Sequence, residues 1–299
     1  MGVQFGGVET GGTWCVCAVG TGPGTLERSE TFRTEAPEPT IARIVRFFAQ
    51  EELPQAIGVG AFGPLELDRS SPAWGTITRT PKPGWSGVPL GRILEDRLEV
   101  PVAFDTDVAA AGVGEHRWGA GRGVAHLCYL TVGSGIGAAL LHDGLPHRGL
   151  VHPEAGHIRI PHDRQRDPFA GTCRRHGDCW EGLAGGRAIA ERWRTDPRAL
   201  AADHPAWALE AEYLALGLAS IVFIASPQRI VAGGGVLERP GLLAAVAARL
   251  RDLVAGYLQT PLLEEEIDRY LVAPELGDRA GVLGAIAMAE RLHHAGLAG

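Results

Sequence analysis

Two hydrophobic periods alternate along the chain: short apolar or every-second-residue runs that predict strands, and three-to-four-residue spacings that predict helices. Gln4 to Glu9 and Trp14 to Gly20 read as two strands of a hairpin, joined by the tight turn Gly11-Gly12. Ile41, Ile44, Val45 and Phe48 repeat at helical spacing between Pro39 and Glu52, and a strand follows over Ala56 to Phe62. Gly63 to Gly87 carries four prolines and reads as a long excursion with at most a short strand, Gly75 to Arg79. A helix over Val88 to Leu98, a strand over Val102 to Phe104 and a small-residue helix over Val108 to Arg117 come next.

The alternation then starts again. His126 to Val132 and Gly135 to Leu141 predict two strands, closed by the turn Asp143-Gly144. His152 to Glu181 breaks the pattern. Helices are expected over Gly186 to Trp193, Trp207 to Ala225, Gly241 to Leu258 and Gly281 to His293, with strands at Arg229 to Ala232 and Tyr270 to Val272. Strands first and helices after, twice over, predict an α/β protein of two lobes with a cleft between them.

Composition agrees with that size and class. The chain has 299 residues, enough for two cores, with 45% apolar and 21% charged residues, so no long segment is expected to be disordered. The net charge is −7 and the basic residues are scattered, which argues against a nucleic-acid partner. Leu214 to Ala225 is the longest apolar stretch and is too short to span a bilayer, so no membrane association is expected. No basic-then-apolar leader opens the sequence, and a cytoplasmic location is expected. Five cysteines, at 15, 17, 128, 173 and 179, do not suggest a disulfide framework.

Four glycine or carboxylate motifs could carry chemistry. Glu9-Thr10-Gly11-Gly12-Thr13 follows a strand: paired glycines admit phosphate oxygens to backbone N–H groups and Thr13 adds a hydroxyl, although a plain hairpin turn would look the same. Thr131-Val132-Gly133-Ser134-Gly135-Ile136-Gly137 fits Gly-x-Gly-x-x-Ala, but an Asp-Gly turn arrives too soon for the helix of a dinucleotide site, so a second phosphate-cradling hairpin is expected. Asp105-Thr106-Asp107 ends a strand and starts a helix; Asp105 suits an N-cap, whereas Asp107 suits a base that takes a proton from an alcohol. Gly233-Gly234-Gly235 follows a strand and permits close approach of a base or phosphate, or else is a simple strand-to-helix turn.

The densest signal is Cys173-x2-His176-x2-Cys179. Two thiolates and an imidazole in one loop, with His157 expected on the preceding strand as a fourth ligand, make the N/S set of tetrahedral zinc; His152 and His162 are alternatives to His157. Four protein ligands would make that site structural. Glu154, Glu181 and His157 surround the loop, where carboxylates and an imidazole suit sugar hydroxyls, or else are solvated surface charges or partners of the metal's ligands.

Taken in order, these motifs resemble the ROK family of bacterial sugar kinases and repressors, especially its fructokinase branch, from about Gly6 to Glu290. E-T-G-G-T at 9 to 13, T-V-G-S-G-I-G at 131 to 137 and A-G-G-G-V-L at 232 to 237 look like its two phosphate motifs and its adenosine segment. F-G-P-L-E-L-D at 62 to 68, T-P-K-P-G-W at 80 to 85 and C-R-R-H-G-D-C-W-E-G at 173 to 182 look like the fructokinase branch, and L-G-D-R-A-G at 276 to 281 like the last nucleotide-side turn, with Gly277 in it.

The resemblance implies a two-lobed actin-like, ribonuclease H-like fold that closes over a hexose and ATP with Mg²⁺. It implies a first lobe over 1–118 completed by the C-terminal helix 281–299, and a second over 119–280 carrying a zinc loop, 152–181. It implies Asp107 as general base, Thr106, Glu154, His157 and Glu181 as sugar contacts, and His157, Cys173, His176 and Cys179 as ligands of a structural zinc ion. Gly11, Gly12, Thr13, Thr131, Gly133, Ser134, Gly135, Gly233, Gly234, Gly235 and Gly277 would face the nucleotide. Fructose is the acceptor it favours, with glucose or mannose as alternatives, and a homodimer the assembly. Repressor members carry an N-terminal helix-turn-helix, whereas the first strand here is expected within a few residues of Met1. The sequence departs from the family at Trp14, where a lysine is usual, and at Ala109, where an asparagine is. A catalytically weak sugar-binding relative is therefore the other reading.

Overall fold

The computed structural model describes residues 3–297. Its elements are β1 (Phe5–Thr10), β2 (Trp14–Gly20), β3 (Leu26–Arg33), α1 (Pro37–Phe48), β4 (Ile57–Ala61), α2 (Leu90–Leu98), β5 (Val102–Thr106) and α3 (Asp107–Trp118). There follow β6 (His126–Val132), β7 (Ile136–His142), the two-residue β8 (Leu145–Pro146), α4 (Trp180–Ala184), α5 (Gly186–Trp193) and α6 (Ala206–Ala225). The last are β9 (Arg229–Gly233), α7 (Leu242–Val254), α8 (Pro261–Glu264), α9 (Ile267–Tyr270), β10 (Leu271–Val272) and α10 (Ala280–Leu297).

The chain forms two compact units, one from Met1–Gly123, Gly144–Pro153 and Glu275–Gly299, the other from Val124–Asp143 and Glu154–Pro274. Met1, Gly2, Ala298 and Gly299, which the expected lobes 1–118 and 281–299 include, lie outside the described residues. The segment 144–153 joins the first unit through side chains: Arg148 donates to Asp105 Oδ2 at 2.7 Å, Leu65 N donates to His152 Nε2 at 2.9 Å, and Arg291 donates to Gly144 O at 2.8 Å.

In the first unit the strand order is β3-β2-β1-β4-β5, with β1 antiparallel to β2 and parallel to β4, and β4 parallel to β5. Ile41, Ile44, Phe47 and Phe48 of α1 and Leu90, Leu94 and Leu98 of α2 bury one face of this sheet. Helix α10 covers the other, and glycines set its distance: a Cβ on Gly58 would lie 1.8 Å from the Ala285 carbonyl oxygen, and one on Gly7 2.5 Å from that of Val282. Backbone-to-backbone approach of this kind excludes any side chain.

The second unit repeats the scheme. Its strands run β10-β9-β6-β7, with β6 antiparallel to β7 and parallel to β9. Helix α6 has 20 residues and is apolar enough, by length and composition, to cross a membrane. Its Tyr213, Leu214, Leu218 and Val222 are buried against Leu130, Trp180 and Leu250, which makes it the core helix of this unit. A Cβ on its Gly217 would meet the Trp180 ring at 2.1 Å.

Three expectations change. Strand β3 did not stand out in the sequence, because only Phe32 of its eight residues is buried. His157 lies in a short 3₁₀ turn, Ala155–His157, and not on a strand. Thr106, not Asp105, is the N-cap of α3: its Oγ1 accepts from Ala109 N at 3.1 Å, while Asp105 Oδ1 accepts from Thr106 N. The capping hydroxyl leaves the buried Asp105 carboxylate for Arg148.

Candidate functional site

In the first unit the candidate residues gather at the carboxyl ends of the parallel strands, the usual ligand edge of an open α/β sheet. β1 ends at Thr10 and turns through Gly11, Gly12 and Thr13 into β2, with Gly11 N bonded to Trp14 O at 2.9 Å. β5 ends at Thr106, and Asp107 opens α3 with Oδ1 accepting from Val108 N at 2.8 Å. Glu9, the first residue of the Glu9–Thr13 motif, faces the same region. Burial pushes its carboxyl up to about 7, and the Asp107 and Asp278 charges push the same way, against a backbone hydrogen bond from Val282 that favours the anion. Its Oε2 is buried with no hydrogen-bond partner among the described residues. Gly277 begins the turn before α10 at φ +58, with open space where a Cβ would point.

Trp14 is half exposed, and the Arg33 guanidinium stacks on its ring at 4.4 Å. Ala109 is buried on the first turn of α3, its amide taken by Thr106.

In the second unit three glycine segments converge. The β6–β7 turn is closed by Gly133 N donating to Gly135 O at 2.9 Å, as the predicted hairpin requires. The start of α5 docks on it: Gly186 N donates to Gly133 O at 2.8 Å and Arg187 N to Ser134 O at 3.1 Å. The run after β9 joins them, with Val236 N donating to Val132 O at 3.0 Å. Gly234 there has φ +95, and a Cβ on it would lie 2.6 Å from Val132 O, so only glycine fits. Thr131 lies on β6 beside this turn, while Ser134 and Gly235 are exposed on it.

The zinc-type residues form one cluster in the same unit. The ligand atoms of His157, Cys173, His176 and Cys179 all lie within 4.8 Å of one another. His157 Nδ1 is 3.8 Å from Cys173 Sγ and 3.5 Å from Cys179 Sγ, and His176 Nδ1 is 3.6 Å from Cys173 Sγ. A zinc ion about 2.3 Å from sulfur and about 2.05 Å from nitrogen at tetrahedral angles needs an S···N edge of about 3.6 Å, so these residues fit the metal. Burial, and then the neighbouring Cys173, push the Cys179 thiol up to about 11, while a backbone hydrogen bond from Gly182 pulls it down. Two adjacent thiolates need a cation between them.

The other two histidines are engaged elsewhere: His152 accepts from Leu65 N in the first unit, and His162 Nε2 is 2.9 Å from Asp167 O with Nδ1 3.3 Å from Asp178 Oδ2. Asp178, next to Cys179, also receives Arg164 and Arg159; Arg164 foremost, then His162 and last Arg159, hold its carboxyl well below the usual range. Glu181, on the first turn of α4, links the cluster to the glycine hairpin: its Oε2 accepts from Ile136 N at 3.1 Å. Glu154 is exposed just before the His157 turn.

Comparison with known proteins agrees with this architecture. The ROK family model matches residues 5–292. A fructokinase of Zymomonas mobilis is 40% identical over 95% of this chain and 96% of its own length. A ROK hexokinase of Thermus thermophilus superposes with a TM-score of 0.80 at 30% identity, covering 98% of this chain and all (100%) of that one. A ROK family glucokinase of Streptomyces griseus, solved with glucose and AMPPNP, gives 0.75 at 26% identity over 96% and 99% of the two chains. With its two α/β units and its motifs in matching order, the chain belongs to the ROK family.

Proposed function

We propose that this chain is an ATP-dependent sugar kinase and that its acceptor is D-fructose, phosphorylated to fructose 6-phosphate. The observation that carries the reading is the placing of Asp107 at the carboxyl end of β5, in electrostatic reach of Glu9, which leads into the glycine turn 11–13. A carboxylate at that edge can take the proton of a primary alcohol while the turn holds the terminal phosphoryl group of MgATP. The alcohol oxygen then attacks phosphorus in line, the bond to the bridging oxygen breaks, and ADP leaves. The residues assigned to the nucleotide are Gly11, Gly12, Thr13 and Gly277 in the first unit and Thr131, Gly133, Ser134, Gly135, Gly233, Gly234 and Gly235 in the second, glycines leaving backbone N–H groups open to phosphate oxygens.

Glu154, His157, Glu181 and Thr106 are assigned to the sugar hydroxyls. The cluster at 157, 173, 176 and 179 would hold zinc, whose chemistry there is that of a cross-link, since four protein ligands close its coordination. His157 has Nδ1 turned to the thiols, which leaves Nε2 as the nitrogen for a hydroxyl. Fructose is favoured over glucose because the 40% identical relative is a fructokinase, whereas the glucokinase is 26% identical. A cytoplasmic location follows from the need for ATP.

Purified protein given MgATP and a panel of hexoses is expected to release ADP fastest with fructose. Faster turnover of glucose or mannose replaces the acceptor. Failure of every sugar in folded, zinc-loaded protein overturns the kinase reading in favour of a silent sugar binder, which Trp14 and Ala109 would then explain.

A further inference from the structure

The turn that follows β1 is anchored through its carbonyls. Its three carbonyls all accept hydrogen bonds from two residues: Thr34 Oγ1 donates to Gly11 O at 2.8 Å, the Lys82 ammonium to Gly12 O at 2.6 Å, and Thr34 N to Thr13 O at 3.0 Å. Lys82 Nζ also donates to Thr34 O at 3.0 Å, so the lysine closes the arrangement. In a trans peptide the C=O of one residue and the N–H of the next point in opposite directions. Tying down the carbonyls of Gly11 and Gly12 therefore turns the N–H groups of Gly12 and Thr13 to the opposite face, where Gly12 is exposed and a Cβ on it would touch nothing within 4 Å.

We infer that Lys82 is a positioning residue for phosphoryl transfer, one that orients and polarises the anion cradle at Gly12 and Thr13 without touching the phosphate. Geometry explains the orientation, and charge explains why a lysine does it. A cation on the Gly12 carbonyl draws electron density across that peptide and makes the Thr13 N–H a stronger donor, an effect a neutral partner produces only weakly. The lysine itself is fixed by its loop: Trp85, three residues on and fully buried, donates from Nε1 to Glu35 O at 2.8 Å, beside the Thr34 that Lys82 holds. Pro81 and Pro83 flank Lys82 and limit its backbone. Thr10 pairs with Ala61 and Ala61 with Thr106, so the turn and Asp107 lie at the same edge of the sheet, and the phosphoryl group the turn would meet is the terminal one.

The inference rests on the kinase reading, and the test separates the two. Lys82→Met, Lys82→Gln and Lys82→Arg are compared with the unmutated chain by calorimetry with AMPPNP and with ADP, each with Mg²⁺ and without sugar, and by steady-state kinetics on fructose. Met and Gln are expected to lower AMPPNP affinity about tenfold and kcat about 100-fold, with ADP affinity and the sugar KM within about twofold, and Arg to restore most of the rate. A merely structural lysine would weaken both nucleotides together. An unchanged AMPPNP-to-ADP ratio in Gln, with unchanged kcat, overturns the proposal. If Met does not fold, Gln and Arg, which keep a donor at the position, decide it alone. If the unmutated chain turns over no sugar, the kinase reading falls and the binding ratio still judges Lys82.

Discussion

The Glu181 carboxylate accepts the amide hydrogen of Ile136 at 3.1 Å, joining the helix that follows the zinc-type loop to the glycine hairpin 133–137. One oxygen thus serves the fold and leaves the other for a ligand. Glu181→Ala leaves the half-buried Ile136 N–H without its partner and is expected to cost on the order of 1–2 kcal/mol in chemical denaturation. Glu181→Gln keeps an acceptor for that amide and is expected to be stable. Both should raise the KM for sugar, and a Gln variant with unaltered sugar KM would take Glu181 out of the sugar site.

Asp107→Asn keeps the helix start, since the amide oxygen can still accept from Val108 N, and removes the proton acceptor. Loss of a general base is expected to lower kcat by about 10²- to 10⁴-fold while the Kd for sugar stays within a few-fold. Steady-state rates together with calorimetry on the sugar check this. A variant with full turnover excludes Asp107 from proton transfer.

Much of this was open to reading in the sequence because the turns are where glycine and cysteine cannot be replaced freely. The hairpin at 133–135, a glycine-demanding turn at 233–235 and the Cys173, His176 and Cys179 ligand set follow from local composition, whereas the choice of His157 over His152 and His162 came from the fold. What stayed hidden depends on partners distant in the chain. Lys82 meets Gly12 across 70 residues, so nothing near Lys82 announces its role. β3 is an edge strand whose residues are mostly open to solvent, so its apolar alternation is weak. His157 sits between Gly156 and Ile158, near Ile160, a stretch whose β-branched residues suggest a strand. Gly156 instead packs against the Ile136 carbonyl, at 2.1 Å from where its Cβ would be, and the chain turns there.

Metal binding at the cluster is expected to release protons. The Cys179 thiol, pushed up to about 11, is protonated at neutral pH in metal-free protein and must lose that proton to bind zinc. Adding zinc to metal-free protein in weak buffer should acidify it by at least one proton per chain, read with an indicator dye. Zinc affinity should fall as pH falls, because protons compete for the same sulfur. Cys173→Ala and Cys179→Ala should each lose zinc by mass spectrometry and loosen residues 157–179 in hydrogen exchange; full zinc occupancy in both would remove the site.

Glu9 makes a pH-dependent prediction of the opposite kind. Its carboxyl is raised to about 7 in the folded protein against 4.5 in its ordinary state. Between those values the folded chain holds a proton that the unfolded chain has lost, so stability from this group is greatest below pH 4.5 and declines as pH rises towards 7. The whole effect is on the order of 3 kcal/mol. Glu9→Gln, which cannot ionise, should therefore raise the denaturation midpoint at pH 8 and leave it nearly unchanged at pH 5. Equal shifts at both pH values would show that the carboxyl is not held protonated.

Glu115, near the end of α3, is fully buried, and its carboxylate accepts three backbone amides: Oε2 from Ala120 N at 2.7 Å and Glu275 N at 3.1 Å, and Oε1 from Leu276 N at 2.8 Å. Three amides from two chain segments more than 150 residues apart converge on one side chain. Three N–H donors satisfy the oxygens that burial takes from water, which is how this acidic side chain is accommodated in the core. Glu115→Ala leaves three buried donors unpaired, a loss on the order of 3 kcal/mol or more. Glu115→Gln can still accept with its oxygen but presents an NH₂ group to at least one donor, so it should recover only part of that loss. Urea unfolding of the three proteins should rank them Glu, Gln, Ala, with hydrogen exchange faster at Ala120, Glu275 and Leu276 in the variants. A Gln variant as stable as the parent would mean that charge adds nothing to these three bonds.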